Sequence, residues 1–265
     1  MYYCERHDLN FESPSFGYID GKSVGGVRYN GEAEIIKPIT ISNRQKCNGE
    51  GIFFFHKNGS RKKQFHVDNI DELENKRRHY CMKYILPNTC FNKEINPLDD
   101  NHLVIHIRAG DIIRFNNPNK KGHIYHSYKL NPISYYEHLI PKFEKITIVT
   151  STVNNFITER LLEKYKHIKI QSGSLTDDFT TLLSAKNLTS SGVGTFAFAA
   201  ALLSKNLKTY YHTNLHLHEH MSHDSLHHVD TRCINISDEY LKNGWRNSAD
   251  DREQILNFQD ITIAY

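Results

Sequence analysis

From residue 101 onward the chain alternates short apolar runs with stretches of helical periodicity: "HLVIHIR", "PISYYEHLIPKF", "KITIVTS", "NNFITERLLEKY", "IKIQSG", "DDFTTLLSAKN", "LTSS", "GTFAFAAALLS" and "LKTYYHT". A strand that is apolar on both faces must be covered on both. Helices between successive strands supply that cover and the crossovers, so the pattern predicts an α/β fold with a parallel sheet wrapped by helices. In open sheets of this kind ligands bind beyond the carboxyl ends of the strands, where loops and helix N-termini gather.

The flanking regions read differently. Residues 1–100 contain a glycine-rich loop, "DGKSVGGVRYNGE", a hairpin "IFFFHKNGSRKKQFHV" turning at Asn58-Gly59, and a helix "NIDELENKRRHYCMKYIL" stopped by Pro87. After Thr213 comes a histidine-rich stretch, "NLHLHEHMSHDSLHHVD", then a segment in which Ser248 and the acidic residues after it mark a helix start. The expected organisation is an N-terminal domain over 1–100, a Rossmann-like ligand domain over 101–215, and a C-terminal segment over 216–265 that packs back on the first half.

A chain of 265 residues with 38% hydrophobic content can bury a proper core. Its 33 basic and 30 acidic residues are interspersed, so no field over the whole molecule points to nucleic acid or an acidic membrane surface, and an anion site must be local. The N-terminal stretch "MYYCERHDLNF" carries charges where an export signal needs an apolar core, and no run is long enough to span a membrane. The expectation is a soluble, cytoplasmic chain without a signal peptide. Five cysteines without CxxC spacing predict reduced thiols rather than a disulfide framework or a zinc ribbon.

Chemistry concentrates in two places. The run "VIHIRAGDI" ends its apolar strand in His106, Arg108, Gly110 and Asp111. A guanidinium stays charged when buried and its planar fork matches two phosphate oxygens, so a buried Arg108 demands an anionic partner. That partner is either Asp111, in an internal salt bridge, or a ligand. The second place is "SSGVGTFAFAAALLS", in which Ser191, Gly192 and Gly194 precede a small-residue helix starting near Thr195 and Phe196. Glycines let backbone approach a ligand, and a helix N-terminus favours a phosphate; the same residues also suit a tight turn before a closely packed helix. Neither segment is a dinucleotide fingerprint or a P-loop, which disfavours oxidoreductases and NTPases.

Together these residues resemble the fucosyltransferases of the GT-B fold, in particular the α1,2-linking group and its α1,6 and protein-O-fucosyl relatives. Their HxRRxD motif, often "HIRRGD", corresponds to "HIRAGD" with His106, Arg108, Gly110 and Asp111 in register. Their later "DF-x-x-M" and "Ser-Thr-Phe" elements correspond in order to Asp178-Phe179 and to Gly194-Thr195-Phe196. The similarity covers under half of the chain. Ala109 stands in place of the second arginine, the tryptophans common after "Ser-Thr-Phe" are absent, and the first half offers "SVGGVRYNG" rather than a "GGLGNQ"-like opening.

The resemblance implies two facing α/β halves, with a nucleotide sugar, most often GDP-fucose, bound in the second half and a glycan acceptor held against the first. It implies that Arg108 holds the β-phosphate with backbone groups of Thr195 and Phe196, and that His106, Gly110, Asp178, Ser191, Gly192 and Gly194 line the donor site. Charge grows on the departing diphosphate, and Arg108 supplies a fixed cation there without a metal or other cofactor. Asp111 is the candidate base for the acceptor hydroxyl, or else an orienting partner of Arg108. His123, Tyr125 and His126, in the loop after the motif, either line the acceptor cleft or are ordinary loop residues. The departures leave open another donor, such as UDP-xylose, and a non-catalytic nucleotide- or glycan-binding module.

The histidine-rich stretch invites a metal, but HExxH is absent, and in an extended strand His216, His218 and His220 share a face without a fourth ligand. Structural or solvent-facing histidines are expected there, with no metal.

Overall fold

The computed structural model describes residues 76–91, 93–114, 128–215 and 223–264. The chain divides into two compact units, Met1–Glu94 with His218–His227, and Ile95–Leu217 with His228–Tyr265.

In the first unit, the helix at residues 76–80 passes into a π turn at Cys81–Ile85 and then a 3-10 turn at Leu86–Asn88. Pro87 sits at the start of that last turn, and Thr89 closes it through its hydroxyl, which donates to Leu86 O at 2.9 Å. Pro87 therefore tightens the helix end rather than cutting it at the preceding residue. The expected hairpin at Asn58-Gly59 lies outside the described residues.

The second unit is built on one sheet of seven strands: β1 (His102–His106), β2 (Lys145–Val149), β3 (Ile168–Gln171), β4 (Asn187–Ser190), β5 (Thr209–Thr213), β6 (Asp230–Ile236) and β7 (Ile261–Ala264). Their order across the sheet is β3-β2-β1-β4-β5-β6-β7. All pairings are parallel except β6 with β7. The α/β architecture with a largely parallel sheet thus forms as expected. Strands β1 to β3 progress one way and β4 to β6 the other, so the order reverses between β1 and β4. That is the switch-point arrangement of doubly wound α/β folds.

Among the described residues of this unit the α-helices are α1 (Gly110–Arg114), α2 (Ile133–Leu139), α3 (Phe156–Lys164), α4 (Leu175–Ser184), α5 (Phe196–Leu203) and α6 (Ala249–Asn257). Helix α4 packs on α5, whereas α6 packs on α2 and α3. Asn155 and Ser174 cap α3 and α4 by accepting from the backbone N–H groups of Thr158 and Asp177. The core holds Leu103, Ile105, Ile107, Ile146, Ile148, Tyr135, Tyr136 and Trp245, all essentially inaccessible to solvent.

At the amino ends of the strands, Asp99 pairs with Lys145, and Asp100 with Lys186 and Lys208. Leu98 N donates to Ser184 O at 2.8 Å. The sheet unit therefore begins at Ile95, a few residues before the boundary expected at 100/101. The C-terminal boundary needs a larger correction. The expectation separated 216–265 as a tail, but β6, α6 and β7 belong to the sheet unit. Strand β6 pairs with β5 in a register that sets Tyr211 against Arg232 and Thr213 against Ile234. Tyr240 donates from its hydroxyl to Leu130 O at 2.6 Å. No helix among the described residues is long and apolar enough to cross a membrane.

Candidate functional site at the strand-order reversal

Arg108 leaves β1 two residues after its last paired position and is tied to the neighbouring strand. Ile107 N donates to Val149 O at 2.9 Å, continuing the ladder toward β2, and Arg108 N donates to Ser191 Oγ at 3.1 Å, bridging toward β4. The side chain is half-buried, with Cζ 5.9 Å from the centroid of the Tyr128 ring. Both motifs picked out in the sequence therefore meet at the carboxyl edge of the sheet, where its order reverses.

The turn from Ser191 to Thr195 is shaped by two left-handed glycines, Gly192 at φ +82° and Gly194 at φ +89°. Each also lacks room for a side chain. A Cβ on Gly192 would lie 2.6 Å from Asn131 Oδ1, and one on Gly194 would lie 2.8 Å from Arg108 Cδ. Backbone N–H groups in such turns converge toward anions. Helix α5 starts directly afterwards, and Thr195 at its N-cap makes no side-chain capping bond, so the positive end of its dipole faces the same edge as Arg108.

Asn131 braces this turn from behind. Its N–H donates to Ser191 O at 3.0 Å, its amide Nδ2 donates to Ser190 O at 2.9 Å, and its Oδ1 accepts from the Thr213 hydroxyl at 2.9 Å. Ser190 Oγ in turn accepts from Gly192 N and from the Tyr210 hydroxyl, both at 3.3 Å. Every group here is buried, so the turn is held by satisfied polar contacts rather than by loose packing.

His106, at the end of β1, lies with its ring 5.3 Å from that of Phe196, which is 5.1 Å from that of Phe179. This aromatic row links β1, α5 and α4. Burial, reinforced by the nearby Arg108 charge, lowers the His106 imidazole to a pKa of about 4, so it is neutral at ordinary pH. Its Nδ1 is buried without a hydrogen-bond partner among the described residues. Asp178, also buried, accepts at Oδ1 from Gly173 N at 2.9 Å and from Gln171 Nε2 at 3.1 Å. In the structure it orders the loop between β3 and α4, beside Phe179 of the aromatic row.

Gly110 opens α1, and a Cβ there would sit an ordinary 3.8 Å from Ser151 Oγ, so no crowding demands glycine. Asp111 is the second residue of α1; its side chain lies outside what is described, as do His123, Tyr125, His126 and the segment holding His216, His218 and His220. Among the described residues no group of three or more metal-ligating side chains gathers in one place. Ala109 is packed into the core and contributes no charge to the edge.

Sequence reasoning missed Tyr128, Asn131 and Thr213. The first two follow a stretch of sequence without periodicity and the third sits in a strand, so nothing in their local pattern distinguishes them. Comparison with protein-family models, curated proteins and solved structures returns no match.

Proposed function

We propose that the chain is a glycosyltransferase that takes its sugar from a nucleoside-diphosphate donor, with GDP-fucose as the leading candidate. The supporting observation is the position of Arg108 at the reversal between β1 and β4, its side chain against Gly194 at the start of the turn into α5. A fixed guanidinium, a glycine turn and a helix N-terminus on one strand edge form a site suited to a diphosphate.

On this reading the diphosphate sits between Arg108 and the backbone N–H groups around Thr195 and Phe196. As the glycosidic carbon–oxygen bond breaks, negative charge builds on the β-phosphate, and a cation already aimed at it stabilises the transition state more than the bound substrate. No metal is needed for that stabilisation. The acceptor hydroxyl attacks the opposite face of a cation-like sugar carbon with inversion, and Asp111 is the nearest candidate in sequence to take its proton late. Neutral His106 adds a buried hydrogen-bonding group at the same edge. A glycan would serve as the acceptor.

A second reading within the class has its own support: Ala109 faces the core where the fucosyl enzymes carry an arginine, which fits a different donor such as UDP-xylose. The test is direct titration of the protein with GDP-fucose, GDP, UDP-xylose and UDP, followed by transfer assays over a panel of glycan acceptors. GDP-fucose binding with transfer supports the leading reading, and UDP-xylose binding with transfer supports the second. Binding without transfer or hydrolysis would mean a non-catalytic module, and no nucleotide binding would overturn the proposal.

A further inference from the structure

Helix α1 has only five residues, Gly110–Arg114, too few to satisfy its own ends. Its late carbonyls are met by donors from the distant C-terminal segment. Trp245 Nε1 donates to Ile112 O at 3.3 Å, Asn247 Nδ2 to Ile113 O at 2.9 Å, and Arg252 Nη2 to the same Ile113 oxygen at 3.4 Å. These pairs are separated by 133, 134 and 139 residues.

The three donors are themselves fixed. Trp245 is fully buried. Asn247, also buried, holds the left-handed φ of +58°, a conformation that asparagine tolerates, and its Oδ1 accepts from Arg252 Nε at 2.8 Å. Arg252 is placed by a capping box in which Ser248 and Asp251 satisfy each other's backbone, and its Cζ lies 5.5 Å from the centroid of the Phe156 ring. A cation at the C-terminal end of a short helix is favourable, but a surface helix would need only water there.

We infer that Trp245, Asn247 and Arg252 act as positioning residues for Arg108. By anchoring α1 they fix the backbone that leaves β1 through Arg108 and Ala109, so the guanidinium is presented to the phosphate site without prior reorganisation. The inference rests on the nucleotide reading for its ligand but not for its geometry.

The test uses the full chain with Asn247→Gly, which keeps the left-handed backbone free of strain while removing the amide, and with Arg252→Met and Arg252→Lys. Hydrogen exchange over residues 107–114 needs no ligand, and it should speed up in Asn247→Gly and Arg252→Met well beyond any change over β2. Titration with GDP should show affinity lowered about tenfold in the same two variants and partly restored in Arg252→Lys. In an Arg108→Lys background, where the rigid fork is gone, Asn247→Gly should change GDP affinity less than about twofold.

Exchange that rises equally in β2, or not at all over 107–114, overturns the inference. So does a local rise in exchange with GDP affinity unchanged, because the segment would then hold a loop on which the site does not depend. If the wild-type chain binds neither GDP nor UDP, the nucleotide reading fails, and the exchange result alone decides whether the segment fixes the Arg108 backbone.

Discussion

Gly194 and Arg108 are in such close contact that a methyl group on the Gly194 Cα would lie 2.8 Å from Arg108 Cδ and 3.1 Å from its Nη1. Gly194→Ala therefore meets two penalties, a left-handed φ of +89° and a collision with the side chain that the site depends on. The strained backbone alone costs about 1–2 kcal/mol. The expected outcome is a protein that is less stable in urea and binds GDP at least about tenfold more weakly, with calorimetry as the check.

On the proposed reading, Arg108→Ala removes a preorganised cation from the developing charge of the leaving group. Transfer should fall by at least about 100-fold, with far-ultraviolet circular dichroism unchanged. Near-normal turnover by this variant would reject the assignment of the site.

Asn131→Ala removes two buried side-chain hydrogen bonds, the one to Ser190 O and the one from the Thr213 hydroxyl, while the backbone bond to Ser191 O remains. A loss of about 2–3 kcal/mol in unfolding free energy is expected, against about 1 kcal/mol for Thr213→Val, which removes a single bond. Equal losses in the two variants would mean that the brace does not act through Asn131.

His106 predicts a specific acid sensitivity. Its folded-state pKa, about 4, lies below the ordinary value of 6.5, so on acidification the unfolded chain takes up the proton first. Stability therefore holds above pH 6.5 and declines as pH falls from there to 4, by about 3 kcal/mol from this residue. Urea midpoints measured across that range should fall more steeply for the wild type than for His106→Gln, which has no proton to gain.

Trp245 is the chain's one tryptophan and is fully buried between α1 and the rest of the core. Its native emission should be blue-shifted and resist iodide quenching, and both properties should be lost in step with global unfolding in urea. Emission already red-shifted in the native protein would contradict the placement of residues 228–264 in the sheet unit.

The first five strands in chain order and the helices between them were legible because of their apolar pattern: "LVIHI" and "KITIV" suit burial in a covered sheet. The two motifs pair in the sequence alone because both fall at strand ends on the same edge. Strand β6 was hidden because its opening residues, Asp230, Thr231 and Arg232, are exposed and polar, and β7 because four residues after a helix carry no period. Asn131 and Trp245 were invisible for a different reason. Their partners lie 59 to 133 residues away, and local pattern says nothing about contacts at that range.

The bond from Arg108 N to Ser191 Oγ spans 83 residues, and it sits beside the pairing of β1 with β4. A chain that has formed only β1, β2 and β3 owns the arginine but not the turn that receives it. The site consequently comes into being with one of the sheet's longest-range strand pairings, a step that pays its loop-closure entropy before any reward. Affinity for a phosphate ligand would then serve as a clock for folding, silent through the formation of the first half-sheet and rising only as β4 docks beside β1.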